Sequence, residues 1–517
     1  MQHWKLRTAK GTCSSFFLEK NMLKKTLQLY RLLSTTTSFY VIEKGQQPLM
    51  GKLTAQHLGV LKIGLPSSQN NLVDRVETKK EFPKIKGVSL NLPIDRSIPA
   101  VIQPLRRCPI PLLQKVKSKL DELLEMGIIE EVTRPTSWVS PLVPIIKDNG
   151  ELRLCIDMRR ANQAVQRLNH PLPIFEDISP RLRNAKYFTT LDIKQAFHQV
   201  ELNENCRDIT TFVTNWGLYR YKRLLFGINC APELFQNLME SILAGCKNTV
   251  VFIDDIMIFG STEEEHDASV KETLLVLSQH GILLNDHKCN FKQEETVFLG
   301  HKLSANGIAP ADGKVQSILQ FRAPQTKEEL RSFLGLVTYV AKFIPDLATV
   351  NSPLRDLLRQ TNPFDWQAEH QQSFDNLKKI IGSVTNLGYF DPQDRTLVVT
   401  DASGVGLGAV LIQFRGNQPR VICYASKSLS DVEKKYPIIE KEALGIVWAI
   451  EKFKIYLMGI TFELETDHRP LETLFATTSR PTARIERWIL RVQAFKFKVA
   501  ISLFIFVYVL YRALKKN

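Results

Sequence analysis

Residues 250–260, VVFIDDIMIFG, set two adjacent aspartates, Asp254 and Asp255, inside a run that is otherwise almost wholly apolar. Two readings fit. Paired acids can occupy a tight hairpin turn between Val/Ile-rich strands, with Gly260 beyond. Against this, no Gly or Asn accompanies them to take a positive φ cheaply. Neighbouring carboxylates also repel and raise each other's pKa unless a cation lies between them. A divalent metal answers both points. A third acid, Asp192, follows the strand-like run FTTLD. With Asp254 and Asp255 it would supply three hard-oxygen donors for two magnesium ions. Two such ions about 4 Å apart can activate an attacking hydroxyl and stabilise a leaving oxygen, which is phosphoryl-transfer chemistry.

Elements must bring these acids together. The stretch 111–132, PLLQKVKSKLDELLEMGIIEEV, has apolar residues at helical spacing and ends near Gly127. SWVSPLVPIIKDNGELRLCIDM then reads as two strands around an Asn149-Gly150 turn. FTTLDIKQAFHQVEL (188–202) starts as a strand and is expected to turn helical after Asp192. From about 311 to 385 the pattern is helical, with a capping-box-like Thr326 and Glu329. RTLVVTDASGVGLGAVLIQF returns to strands, and a helix follows at EKEALGIVWAIEKFKIYL. Strands followed by helices, twice over, indicate two mixed α/β domains with a helical connector.

Composition sets the class of partner. The chain has 517 residues, 44% of them hydrophobic, enough for two to four domains with real cores. Sixty-eight Lys plus Arg against 53 Asp plus Glu give a formal charge of +15, which suits a polyanion such as nucleic acid. The eight cysteines are scattered without a CxxC pair, which argues against zinc knuckles and a disulfide framework and for a reducing compartment. Residues 1–33 carry many Lys and Arg with Glu19 as their one acid, as a transit peptide would, but hold no apolar core of a secretory signal. The run VAISLFIFVYVLY (499–511) is shorter than the ~20 apolar residues of a spanning helix. It is read as a β-rich strand or an aberrant tail, with a membrane segment as the alternative.

LRLCIDMRRAN, LDIKQAFHQVEL, ITTFVTNWGLYRYKRLLFGINCAPELFQNLM, VVFIDDIMIF and FLGHKLSANGI resemble, in order and spacing, successive blocks of the reverse transcriptases of gypsy-like long-terminal-repeat retrotransposons. The resemblance covers roughly residues 80–385. It implies an α+β right-hand polymerase, fingers and palm over 80–310 and a helical thumb or connection over 311–385, followed by a ribonuclease H-like α/β domain. It makes Asp192, Asp254 and Asp255 the polymerase triad, the first two as direct metal ligands and Asp255 more peripheral. Lys147 and Arg153 would grip the incoming triphosphate, as fixed cations suit a polyphosphate; the alternative is a solvated hairpin face. Phe197 would gate the sugar against a 2′-hydroxyl, or else simply pack in a core. Phe226 and Gly227 match the FG of the nucleotide-pairing pocket, Lys288 the residue that protonates departing pyrophosphate, and FLGH (Phe298, Leu299, Gly300, His301) the primer grip.

TDASGVGLGAVL, EKEALGIVWA and ETDHRPL resemble the three leading blocks of the fused ribonuclease H domain, expected over 386–500, with Asp401, Glu442 and Asp467 aligned to its metal ligands. An acid ending the strand LVVTD, one on a helix and one ending FELETD can converge on one pocket suited to two metals. Glu440 competes with Glu442, which the pattern EALGI favours. The implied cofactor is Mg2+, two per active site, with Mn2+ as a substitute. The implied partners are an RNA template, a DNA primer, RNA:DNA hybrid and dNTPs, held in a basic cleft through phosphates and A-form shape. The implied setting is a cytoplasmic virus-like particle or the nucleus.

From about residue 38, SFYVIEKGQQPLMGKLTAQHLGVLKIG resembles the closing segment of the retrotransposon aspartic protease, whose Asp-Thr/Ser-Gly signature is not in the chain, so 1–79 is expected to be inactive as a protease. The expectation is an excerpt of a polyprotein, ending in an apolar tail at 501–517. Two other classes stand beside the enzyme: a catalytically decayed nucleic-acid-binding relic, and a membrane-tethered interaction protein. The family's ribonuclease H domain carries a fourth carboxylate after a strand like FKFKV, and no Asp or Glu follows Glu486 here. Cleavage of a uniformly labelled RNA:DNA hybrid is therefore expected to be weak or absent; a rate equal to that of a relative with all four acids would contradict it.

Overall fold

The computed structural model describes residues 4–7, 13–16, 81–146, 150–360, 362–468, 470–471 and 482–501. The chain divides into two units, Met1–Thr78 and Lys79–Asn517. In the first, strands β1 (Trp4–Arg7) and β2 (Cys13–Phe16) pair antiparallel, Trp4 opposite Phe16. The protease-like stretch from 38 and the tail at 502–517 lie outside the described residues. Among the described residues, no helix is long and apolar enough to cross a membrane.

In the second unit, helix α1 (Leu113–Glu125) buries Val116, Leu120 and Leu123 on one face. Gly127, at φ +65, ends it. Gly127 N–H donates to Leu124 O and Ile128 N–H to Leu123 O, the paired bonds of a Schellman cap that glycine makes cheap. The chain then enters a five-stranded sheet built from β3 (Ile129–Glu131), β4 (Ser140–Ile146), β5 (Leu152–Ile156), β6 (Phe212–Thr214) and β7 (Gly217–Tyr221), ordered β3-β7-β6-β4-β5. The expected hairpin is its β4–β5 edge, with Ile145 opposite Arg153.

A second, four-stranded sheet carries the aspartates. Its central pair is Tyr187–Asp192 and Asp255–Gly260, flanked by Thr249–Phe252 and Asn290–Gln293. Ile256, Met257 and Ile258 are fully buried, so this strand reads as a continuous apolar run with protein on both faces. Gly260 is where the next helix, α2 (Glu263–Gln279), comes against the sheet: a Cβ there would lie 2.6 Å from the His266 nitrogen. Thr262 caps that helix by accepting from Glu265 N–H, with three glutamates in its first turn facing the positive end of the dipole. His266, on its buried face, bonds Thr189 of the sheet at 2.9 Å.

The segment after Asp192 turns helical only briefly. It forms a single 3-10 turn, Ala196–Gln199, and no α-helix. Gln195 stands in the left-handed region at φ +47, which breaks helical continuation, and the buried Gln199 side chain bonds Lys194 O and Leu283 O across the fold.

The region from 312 is helical as expected, with α3 (Asp312–Leu319), α4 (Lys327–Tyr339) and α5 (Ala368–Gly382). Thr326 caps α4 by accepting from Glu329 N–H, while the Glu329 carboxylate reaches Gln325 N–H, one residue before a capping box's usual donor. A last sheet combines antiparallel β8 (Arg395–Ala402), β9 (Gly406–Arg415) and β10 (Gln418–Ser428) with β11 (Thr461–Thr466) and β12 (Lys496–Ile501), which join parallel to β8 and to each other. Helix α6 (Ile438–Lys452) covers it. One apolar cluster runs from Phe188 and Met257 of the aspartate sheet, through Phe333 and Val337 of α4, to Leu397 and Val410 of the last sheet. Fold class is therefore α+β, with two sheet-bearing regions joined by helices.

Gly260→Ala must push the backbone of α2 off the sheet and is expected to destabilise by roughly 1–3 kcal/mol. A thermal unfolding midpoint unchanged from the parent would contradict this.

Candidate active sites

The hairpin reading and the acid-site reading of VVFIDDIMIFG are compatible in this structure. Thr249–Phe252 and Asp255–Gly260 pair antiparallel, Phe252 opposite Asp255, so Ile253 and Asp254 form a two-residue turn. Ile253 takes the positive φ of +52, an unfavourable place for a β-branched residue. Asp255 is registered directly opposite Asp192. The Ile193 N–H donates to Asp254 O at 3.1 Å, which brings the turn against the end of the Asp192 strand. Asp192 accepts from Asn285 Nδ2 at 3.1 Å and from Lys288 Nζ at 3.0 Å. Crowding by protein atoms pushes Asp255 up to about 6, with Asp254 and Asp192 adding repulsion. The hydrogen bond to Asp192 raises Lys288.

Asp192 and Asp254 open onto a cleft of about 1170 Å³. Lys115, Lys119, Arg153, Lys194 and Lys288 also line it, with Glu122 and Glu151 among them, so the wall around the aspartates mixes both signs with a small excess of cations. Lys147 lies outside the described residues. The Arg153 guanidinium stacks 4.5 Å over the Phe226 ring, which is 42% exposed. Phe197 is buried behind it, ring centroids 4.8 Å apart, and is not itself among the cleft's lining residues. Gly227 adopts φ +102, and its carbonyl accepts from Asn162 Nδ2 at 2.8 Å. Asn229 closes that clasp by donating to Asn162 and Val165. The FLGH segment turns at Leu299 (φ +48) and Gly300 (φ +74), with Tyr339 donating to Leu299 O at 3.0 Å. Phe298 and His301 point inward; His301 stacks 4.0 Å from Phe175, and burial lowers it to about 4, so it is neutral.

The second constellation is tighter. Asp401, Glu442 and Asp467 each place a carboxylate oxygen within 4.8 Å of the others. Asp401 comes from β8, Glu442 from α6, and Asp467 follows β11. Glu442 is buried; one oxygen accepts from Ala402 N–H at 3.3 Å and the other has no partner. Burial first, then Asp467 and Asp401, push it up to about 8. Burial and Asp467 also raise Asp401. Glu440 faces away and ion-pairs with Arg484. A lone buried carboxylate oxygen between two further acids is a donor set that fits a divalent cation.

The sequence is similar to known proteins along most of its length. Residues 145–303 match the family described as reverse transcriptase (RNA-dependent DNA polymerase), and 391–495 the RNase H-like domain found in reverse transcriptase. The chain thus carries a reverse transcriptase domain followed by a ribonuclease H-like domain. More narrowly, its homologues are retrotransposon Pol polyproteins. It is 36% identical over 391 residues to the Pol polyprotein of transposon 297 from Drosophila melanogaster, covering 74% of this chain and 36% of that one. It is 29% identical over 509 residues to the transposon Tf2-3 polyprotein of Schizosaccharomyces pombe, covering 92% and 38%. The chain thus spans about a third of the length of these curated relatives. Its fold is similar to a foamy viral protease-reverse transcriptase solved with an RNA/DNA hybrid, with TM-score 0.70 and 21% identity, over 82% of this chain and 58% of that one.

Sequence reasoning missed Asn285, Gln236 and the Asn162–Asn229 clasp. Gln236 and the clasp act through side-chain amides on backbone, and Asn285 through its amide on the Asp192 carboxylate; none of these carries a spacing signal.

Metal-free protein should lose stability as pH rises. Glu442 binds its proton more tightly folded (about 8) than its usual 4.5, so the folded state holds the extra proton and the penalty grows between those values, complete above about 8. Differential scanning calorimetry in EDTA should show the ribonuclease H-region transition falling across that range, and Glu442→Gln should flatten the fall. An unchanged slope in the variant would contradict it.

Proposed function

We infer that the chain is an RNA-directed DNA polymerase with a fused ribonuclease H-like nuclease. The observation that carries this is that Asp192 and Asp254 line one cleft together with basic side chains, and that the Asp254 turn is bonded to the end of the Asp192 strand. In this reading Asp192 and Asp254 hold Mg2+, or Mn2+ in its place, and Asp255 supports them. Bound divalent cations would lower the pKa of the attacking hydroxyl and offset charge on the leaving oxygen. The primer 3′-hydroxyl oxygen forms a bond to the α-phosphorus of a dNTP, and the bond to the pyrophosphate oxygen breaks. Lys288, which ion-pairs with Asp192, would in this reading give the departing pyrophosphate its proton. Arg153, stacked on Phe226, presents its remaining donors to the triphosphate, with Lys147 assigned there from the resemblance alone.

In this reading Phe226 and Gly227 border the nucleotide-pairing pocket, and Phe197, buried against Phe226, would act on the sugar only through that ring. At the 298–301 turn, the Leu299–Gly300 backbone is what nucleic acid would touch, since Phe298 and His301 are buried. Fingers and palm are assigned to 80–310, thumb or connection to 311–385 and ribonuclease H to 386–500. Asp401, Glu442 and Asp467 would hold the cations of the ribonuclease H-like site, whose cleavage of the RNA of a hybrid is expected to be impaired without a fourth acid. The template is RNA, the primer DNA, and a particle in the cytoplasm or the nucleus is the setting in keeping with the relatives.

Primer extension on poly(rA)/oligo(dT) with Mg2+ tests the reading. The parent should incorporate dTTP, and Asp254→Asn should fall to background while still binding the duplex; extension by that variant at the parent rate would overturn the assignment. Binding of the duplex should weaken steeply with salt, as counterion release from phosphates requires.

A further inference from the structure

We propose that Gln236 is a positioning residue for Asp254: its buried amide clamps the backbone of the 253–254 turn and so fixes the carboxylate that follows. The proposal rests on the polymerase reading and names a residue that reading does not contain.

Gln236 sits on the helix Ala231–Leu243 and is fully buried. Its Nε2 donates to Val251 O at 3.0 Å and its Oε1 accepts from Ile253 N–H at 2.6 Å, so one amide spans Phe252 and pairs with backbone on both sides of it. The second Nε2 hydrogen goes to Glu240 Oε1 at 2.7 Å. Both donors are in use, and the acceptor is aimed at the turn.

The turn needs such a clamp. Ile253 stands at φ +52, a region that only glycine, or less often asparagine or aspartate, enters readily, and an isolated two-residue connection would relax away from it. The helix that holds Gln236 is itself fixed, since Phe235 and Met239 on either side are fully buried and Phe235 packs edge-on to Phe197 at 5.5 Å. The link therefore runs from a rigid helix through Gln236 to Ile253. From there Asp254 O takes the Ile193 N–H, so the same turn is tied to the residue after Asp192. Loosening Ile253 frees Asp254 relative to Asp192. Gln236 touches neither substrate nor reacting atoms; it acts through the backbone.

The test compares the parent, Gln236→Met and Gln236→Asn, all in a Glu442→Gln background so that the second acidic site adds no metal signal. Gln236→Met keeps the volume and removes the amide. Steady-state primer extension should show kcat reduced roughly tenfold to a hundredfold, with KM for poly(rA)/oligo(dT) within about twofold. Mn2+ titration followed by electron paramagnetic resonance should show weakened binding, and Gln236→Asn should recover part of both. Should Gln236→Met not fold, hydrogen exchange of the parent decides: the Ile253 amide must be protected, and exchange at an open-amide rate overturns the clamp. A parent that extends primers, matched by Gln236→Met in kcat and Mn2+ affinity, removes the clamp and leaves the polymerase reading. A parent that extends nothing, yet loses Mn2+ affinity in Gln236→Met, removes that reading and leaves the clamp.

Discussion

Like charges must be held together before any cation arrives, and the rest of this structure is arranged around that constraint. Asp255 at about 6 and Glu442 at about 8 show the strain, in each case from burial first and neighbouring carboxylates second. Loops could relax away from such repulsion. Asp192, Asp255 and Asp401 are instead set at the ends of hydrogen-bonded strands, where moving one would break a ladder. Asp192 and Asp255 face each other as register partners in one antiparallel pair. Asp401 and Asp467 come from neighbouring parallel strands, and Glu442 from the helix that covers them. Two sheets of different topology thus meet the same electrostatic demand.

The electrostatic sites are joined by apolar contact. The cluster from Phe188 to Val410 passes through α4, so the helical region packs on the sheets of both acid sites. Polar contacts reinforce the junction. Tyr339 of α4 donates to the Leu299 carbonyl, and a side chain at Gly300 would collide with its hydroxyl, which explains glycine at that position. Arg183 ion-pairs with the buried Asp391, and Arg415 reaches Asn184, so the loop before the aspartate sheet is pinned to the last domain.

Around the cleft, charge and flatness are combined. Arg153 over Phe226 keeps a cation near an aromatic face without burying it. His198, lowered to about 4 by burial and by nearby Arg223, adds a polar ring without adding charge at neutral pH. The asparagine clasp on Gly227 holds a positive-φ loop in place with neutral groups, leaving the field to the lysines and the aspartates.

Much of this was legible in the chain alone. Acid residues at strand ends, the Gly127 stop, the β4–β5 hairpin and the helical stretch after 311 all follow from periodicity and turn chemistry, which act over a few residues. The order of the reverse transcriptase and ribonuclease H-like blocks was readable because each block is local. What the sequence could not decide is which side chains meet. Glu440 and Glu442 are two residues apart on one helix, and only packing turns one to Arg484 and the other to Asp401. The helical stretch after Asp192 is held to a single 3-10 turn, where Gln199 finds partners at Leu283, far along the chain. The positive φ fell on Ile253, a residue no local rule would choose, because a buried glutamine seventeen positions earlier holds it there. Local sequence sets propensity and pattern; long-range hydrogen bonds and burial choose among the conformations it leaves open, and those exist only once the chain has folded.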